Sequence, residues 1–179
     1  MMIRAIRAIR GHLFLLVAAG LLSGSGCKRK KEPPFDAADY ETPAVEAVLH
    51  RLLKDEAEAR KEAKVGVIVL GEQMRDSTPA FRAKFPEAGL QWFGTQSLAT
   101  VWVGPVARVV EKATQLQPFQ LQVYGVTSRP DGTEEIIAAW AFEDRMLRRR
   151  FRATPAPNGQ WEVQPLDVIE QKGRDLPTE

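Results

Sequence analysis

Apolar residues recur along this chain at two periods, helical in its first half and alternating in its second. Val45, Val48, Leu49, Leu52 and Leu53 share one helical face. Thr42 offers a capping hydroxyl and Pro43 a residue whose missing N–H costs nothing in a first turn. The pattern predicts a helix running to about Lys64, with only Ala57, Ala59 and Ala63 among charges beyond Leu53, so that its second half is a solvated flank. The β-branched run 65–70 fits a buried strand or a helical continuation; periodicity does not decide, and we lean to the strand. Thr78 and Pro79 open a short helix carrying Phe81 and Phe85, stopped by Pro86. Leu98 to Val103 reads as a strand, and Gly104 and Pro105 as the start of a third helix with Val106, Val109, Val110 and Ala113 on one face.

Alternation takes over at Phe119, Leu121 and Val123, which are separated by Gln120 and Gln122. The turn at 129–132 has a mechanism: Pro130 fixes φ and Gly132 permits positive φ. Pairing Ser128 with Thr133 sets Phe119 opposite Phe142, Leu121 opposite Trp140 and Val123 opposite Ala138, all on one side. A second turn at Asp144 and Arg145 sets Leu147 opposite Phe142, Arg149 opposite Trp140 and Phe151 opposite Ala138. The last strand, Gln160 to Ile169, follows the Asn158–Gly159 turn, and Pro165 makes it an edge or a bulged strand. The expected class is α+β: two or three N-terminal helices packed on an antiparallel meander of about four to six strands.

The amino terminus belongs to neither pattern. Arg4, Arg7 and Arg10 precede an apolar run from Leu13 to Leu22, then Ser23, Gly24, Ser25, Gly26 and the only cysteine, Cys27. That is the order of a secretory signal, and the apolar run is far short of the roughly 20 residues that cross a bilayer. The segment 21–27 resembles the bacterial lipoprotein signal, in which small residues precede a cysteine that is acylated and becomes the mature first residue. Gly24 departs from that pattern, which usually carries a branched aliphatic there. The resemblance implies residues 1–26 as signal peptide, lipidation (palmitate) at Cys27, a leash over 27–41 and one domain over 42–179. Its alternatives are an uncleaved signal anchor or a cut elsewhere that leaves Cys27 an ordinary thiol. If Cys27 is acylated, Lys28, Arg29, Lys30 and Lys31 lie at the headgroups, each adding about 1 kcal/mol on an anionic leaflet, or simply begin a solvated leash. The resemblance implies a cell-envelope protein facing the periplasm, with the membrane as partner through Cys27. Asp after the cysteine is the main inner-membrane signal in enteric lipoproteins, so Lys28 points to the outer membrane.

Cutting before Cys27 changes the charge. Three of the 25 basic residues fall in the signal, leaving 22 against 23 acids, so the balance moves from +2 to about −1 and nucleic acid is not a favoured partner. With one cysteine there is no intramolecular disulfide and no Cys-x-x-Cys zinc cluster.

The order of a long helix, a short helix, a strand, a helix and a long antiparallel meander resembles the nuclear transport factor 2-like superfamily, the cystatin-like cone folds. The resemblance is one of element order over 42–169 and implies a curved, cone-like sheet wrapped around a helix. Such cones hold small ligands, run several chemistries or serve only protein contacts; no catalytic residue carries over.

Candidate chemistry is thin. Arg149 falls in phase with the apolar Leu147 and Phe151, where a lone guanidinium is costly unless paired. It fits a pocket mouth formed with Phe119, Leu121 and Trp140 and presented to an anionic ligand, or a structural ion pair, or a snorkelling side chain. Arg148, Arg150 and Arg152 alternate onto the other face, a basic stripe for an acidic envelope protein or anionic headgroups, or a solvated sheet face. His12 lies in the signal, which leaves His50 off the apolar stripe as the one mature histidine. Serine triads and histidine metal sites thereby lose their usual base or ligand unless His50 serves. No phosphate-binding glycine loop occurs. We expect no cofactor, no metal and no catalytic residue: a non-catalytic binding or assembly module, with a pocket protein or enzyme using Arg149 and a carboxylate as the alternative.

Overall fold

The computed structural model describes residues 35–173. The folded body begins earlier than the pattern predicts. Asp36 caps a turn at Ala37–Asp39, its carboxylate accepting from the Ala38 N–H at 2.9 Å. Phe35 stacks on Tyr40 at 5.4 Å, and Ala37 and Tyr40 pack on the core. Residues 35–41, read as the end of the leash, are therefore part of the domain.

Helix α1 spans Pro43–Asp55, with the Thr42 hydroxyl accepting from the Val45 N–H. Its stripe of Val45, Val48, Leu49, Leu52 and Leu53 is buried against the sheet, each side chain contributing about 1.5–3 kcal/mol. The helix does not run on to Lys64. It breaks at Glu56, at φ −106° and ψ 35°, and α2, Ala57–Glu62, follows. The Arg60 guanidinium reaches back to the Leu53 carbonyl at 3.0 Å and satisfies one of the carbonyls that the break leaves open.

The 65–70 run is strand β1, Val65–Leu70, buried at every position. Short β2 (Arg75–Asp76), helix α3 (Pro79–Arg82) and β3 (Gln91–Phe93) follow. Strands β4 (Leu98–Val103) and β5 (Val106–Glu111) form a separate two-stranded hairpin. The third helix expected at Val106 is thus a strand. Gly104, at φ 61°, takes the first position of a two-residue turn, a role that glycine fills in hairpins, and the valines that follow favour extended backbone.

The meander is present: β6 (Phe119–Ser128), β7 (Glu134–Phe142), β8 (Arg145–Pro155) and β9 (Trp161–Lys172) run antiparallel in sequence order. The sheet continues past β6 into β1, which lies parallel to it, and β2 and β3 pair with β1. Seven strands therefore stand where four to six were expected. The class is α+β, with three α-helices among the described residues, all ahead of the meander. Helix α1 packs across β6 to β9.

Two registers repay a closer look. Leu121 pairs with Trp140 and Val123 with Ala138, as the alternation predicts, yet Ser128 pairs with Glu134 and not with Thr133. A bulge at Tyr124 absorbs the extra residue. It hands the inward phase from Phe119, Leu121 and Val123 to Val126, opposite Ile136, so the apolar face is kept on both sides of it. At the next turn Phe142 pairs with Arg145, Trp140 with Leu147 and Ala138 with Arg149. This register is two residues from the expected one, because Glu143, at φ 56°, and Asp144 make the turn. A slip of two preserves which face each side chain takes. Pro165 lies in the edge strand β9, beside register irregularities around Arg149.

Candidate functional site

Cys27 lies outside the described residues. Among those residues no helix is long and apolar enough to cross a membrane, and no group of three or more His, Cys, Asp or Glu is placed to hold a metal ion.

The four residues read as a pocket separate into two groups. Phe119 and Leu121 are 0% exposed and Trp140 is 1%. Phe119 and Trp140 stack nearly parallel, 5.7 Å between centroids, with Phe142 tilted 6.2 Å from Phe119. These side chains are the core, not the lining of an open cavity. Arg149 is half-buried at the edge of this core, opposite Ala138 where Trp140 was expected.

Glu56, at the α1–α2 break, is an acid within electrostatic reach of Arg149. The buried Trp140 indole N–H faces this carboxylate, but outside strict hydrogen-bond geometry. Burial holds the Glu56 carboxyl above its ordinary value of 4.5; the Trp140 N–H and the Arg149 charge pull it back only in part, and Asp55 adds to the rise. A carboxyl with a raised folded pKa contributes stability that is complete below the unfolded value and is lost as pH rises through the folded value. Glu56→Gln keeps the neutral shape at all pH. Urea unfolding at a series of pH values should therefore find the variant equal to wild type near about pH 4 and increasingly the more stable of the two towards about pH 7. A gap independent of pH would contradict the placement of Glu56. Sequence patterning could not find this residue, since it was read as one charge among many on a solvated flank.

The basic stripe meets acids and an aromatic ring within its own sheet. Arg148 lies over the Tyr124 ring at 3.9 Å and pairs across the ladder with Glu170. Arg150 meets Asp167 at 3.7 Å, and Arg152 meets Glu135 at 3.6 Å, a carboxylate shared with Arg129. Burial pushes the Tyr124 phenol up in pKa, with Arg148 opposing. Exposed pairs of this kind are worth about 0–1 kcal/mol each. Their acids come from β7 and β9 and meet the stripe only once the sheet forms.

His50 lies against the Phe85 ring, centroids 4.7 Å apart, with Glu46 at 3.9 Å. An open groove of about 400 Å³ is lined by His50, Leu53, Lys54, Ala57 and Arg60. Another of about 450 Å³ lies beside Tyr40, Thr42, Val126, Ser128 and Glu134. Neither coincides with the residues read as a pocket.

The feature that sequence reasoning missed is the β4–β5 turn. Trp102 is 70% exposed, Val103 54% and Val106 49%. Read as a helix, the valines after Gly104 had an inward face. The available signal was charge: in 98–110 the only charged residue is Arg108. Glu111 holds the base of the hairpin, its carboxylate accepting from the Ala113 and Thr114 N–H groups at 3.0 and 2.7 Å, which lowers its pKa.

No protein-family model, curated protein or solved structure matches this chain.

Proposed function

We propose that this chain is a bacterial envelope lipoprotein, held to a membrane through acylated Cys27, whose folded domain binds or assembles and does not catalyse. The observation that supports the second half is burial: Phe119, Leu121 and Trp140 lie at 0–1% exposure and none stands at an open pocket wall, so recognition falls to the surface. The first half is supported by the order of Arg4, Arg7, Arg10, the apolar run, the small residues and Cys27. Two acyl chains hold a protein stably at a bilayer where one does so only marginally. Lys28 favours the outer membrane, and the domain would face the periplasm.

The test is Cys27→Ser in the full chain. Palmitate incorporation should disappear and the protein should move from the membrane to the soluble fraction. Retention in the membrane without label would remove the anchor.

A second reading has one observation behind it, the half-buried Glu56 beside Arg149 and Trp140. It makes the domain a cone of the nuclear transport factor 2-like type, binding a small molecule or acting on it with Arg149 and that carboxylate. Complementation of a deletion strain separates the two: Glu56→Gln and Arg149→Met should both complement under the first reading and both fail under the second.

A further inference from the structure

The β4–β5 turn places Trp102, Val103 and Val106 at an exposed hairpin end, with open space around Gly104. Exposed apolar residues are ordinary when scattered; these three are gathered at one hairpin end, Val103 and Val106 cross-strand partners on one face and Trp102 on the other. Three features identify the occupant. The group sits at the end of a hairpin and not in a groove, a shape that enters a soft phase more readily than it fits a protein. Tryptophan, with an apolar body and a polar N–H, is enriched at the headgroup level of bilayers. The one charge in 98–110 is the exposed Arg108, and no acid there opposes an anionic surface.

The length of chain before the domain supplies the remaining argument, and here the inference rests on the lipid-anchor reading. Phe35, the first described residue, stands eight positions after Cys27. A chain of eight steps reaches at most roughly 26 Å at about 3.3 Å each. A tether that short holds the domain against the headgroups at an effective concentration on the order of millimolar. An apolar group too small to bring a free protein to a membrane is sufficient under those conditions. We propose that the β4–β5 turn inserts Trp102, Val103 and Val106 into the interfacial layer of the membrane that carries Cys27, with Arg108 among anionic headgroups, and so sets the orientation of the domain.

The experiment uses the purified full-length chain with vesicles of phosphatidylethanolamine and phosphatidylglycerol carrying brominated acyl chains. Trp102→Phe isolates the contribution of Trp102 from those of Trp92, Trp140 and Trp161. Bromolipid should quench wild-type fluorescence, and the quenched component should vanish in Trp102→Phe. In Val103→Asp/Val106→Asp, which keeps Trp102, quenching should fall about tenfold, since a carboxylate is strongly disfavoured below the headgroups. No quenching that depends on Trp102, or quenching unchanged by the two aspartates, would overturn the proposal. A photoreactive residue at Val103 in native membranes should capture lipid; capture of another protein or of a second copy overturns it as well. Palmitate label on the same preparation reports the tether independently. Label with unquenched Trp102 rejects the insertion alone, and quenching without label keeps the insertion and rejects the tether.

Discussion

Trp140→Ala should destabilise the domain by about 3–5 kcal/mol, the range for large aromatics cut to alanine in a core that relaxes only in part. The indole is 1% exposed and stacks on Phe119, which is itself fully buried, while Leu147 packs across the strand pair. Nothing in this arrangement can close over the vacated volume without moving β6 or α1. Urea denaturation of wild type and variant gives the difference directly from the midpoints. Trp102→Ala is the internal comparison. With 70% of its surface in water, it should shift stability by no more than about 0.5 kcal/mol. Were Trp140 the wall of an open pocket, its truncation would also be mild, so the experiment bears on the functional reading and not only on stability.

Gly66→Val should cost about 2–4 kcal/mol by overpacking and by the loss of a buried hydrogen bond. A Cβ at Gly66 would lie 2.6 Å from Cζ3 and 2.7 Å from Cε3 of Trp92. The Trp92 ring cannot simply turn away, because its N–H donates to the Phe85 carbonyl at 3.1 Å. Either that bond breaks or β3 separates from β1, with which it pairs at this position. A fall in melting temperature should therefore appear with a red shift of tryptophan emission. Adding Trp92→Ala to Gly66→Val should recover part of the loss relative to the sum of the single changes. Strict additivity would mean that the two do not touch.

Both sites show how legibility varied along the chain. Helix α1 was readable because a cap, a first-turn proline and a stripe of five apolar residues all lie within one dozen positions. Its end was not, since the break at Glu56 depends on how Arg60 and the start of β1 meet the rest of the body. Strand β1 stayed ambiguous for a physical reason: a strand buried on both faces beside a parallel neighbour has no alternation to display. The error at Val106 came from weighing Gly104 and Pro105 as a helix start when the same pair serves equally as a hairpin turn. That error concealed the most exposed apolar group in the domain.

The candidate site divides along the same line. That Arg149 faces the core side follows from period alone, because side chains two apart share a face. Which residue it meets does not, since the register of β7 on β8 is displaced by two from the pattern and every position keeps its face under that displacement. Turn backbone at Glu143 made the choice, and hydrophobic phase is silent on it. Glu56 reached Arg149, and Asp167, Glu135 and Glu170 reached the arginine stripe, from strands and a helix end distant in sequence.

By itself, then, the order of residues determined what local rules can determine: the α1 stripe, the alternating strands of the meander, the edge character of β9 at Pro165 and the resemblance of residues 21–27 to a lipoprotein signal. Only the tertiary structure decided the parallel seat of β1 against β6, the bulge at Tyr124, the stacking of buried Phe119 on Trp140, the ion pairs of Arg150 and Arg152 and the exposure of Trp102. The reason is common to all of these. Each depends on contacts between segments far apart in the chain, and a pattern of period two or 3.6 specifies which face a residue takes without specifying what it will find there.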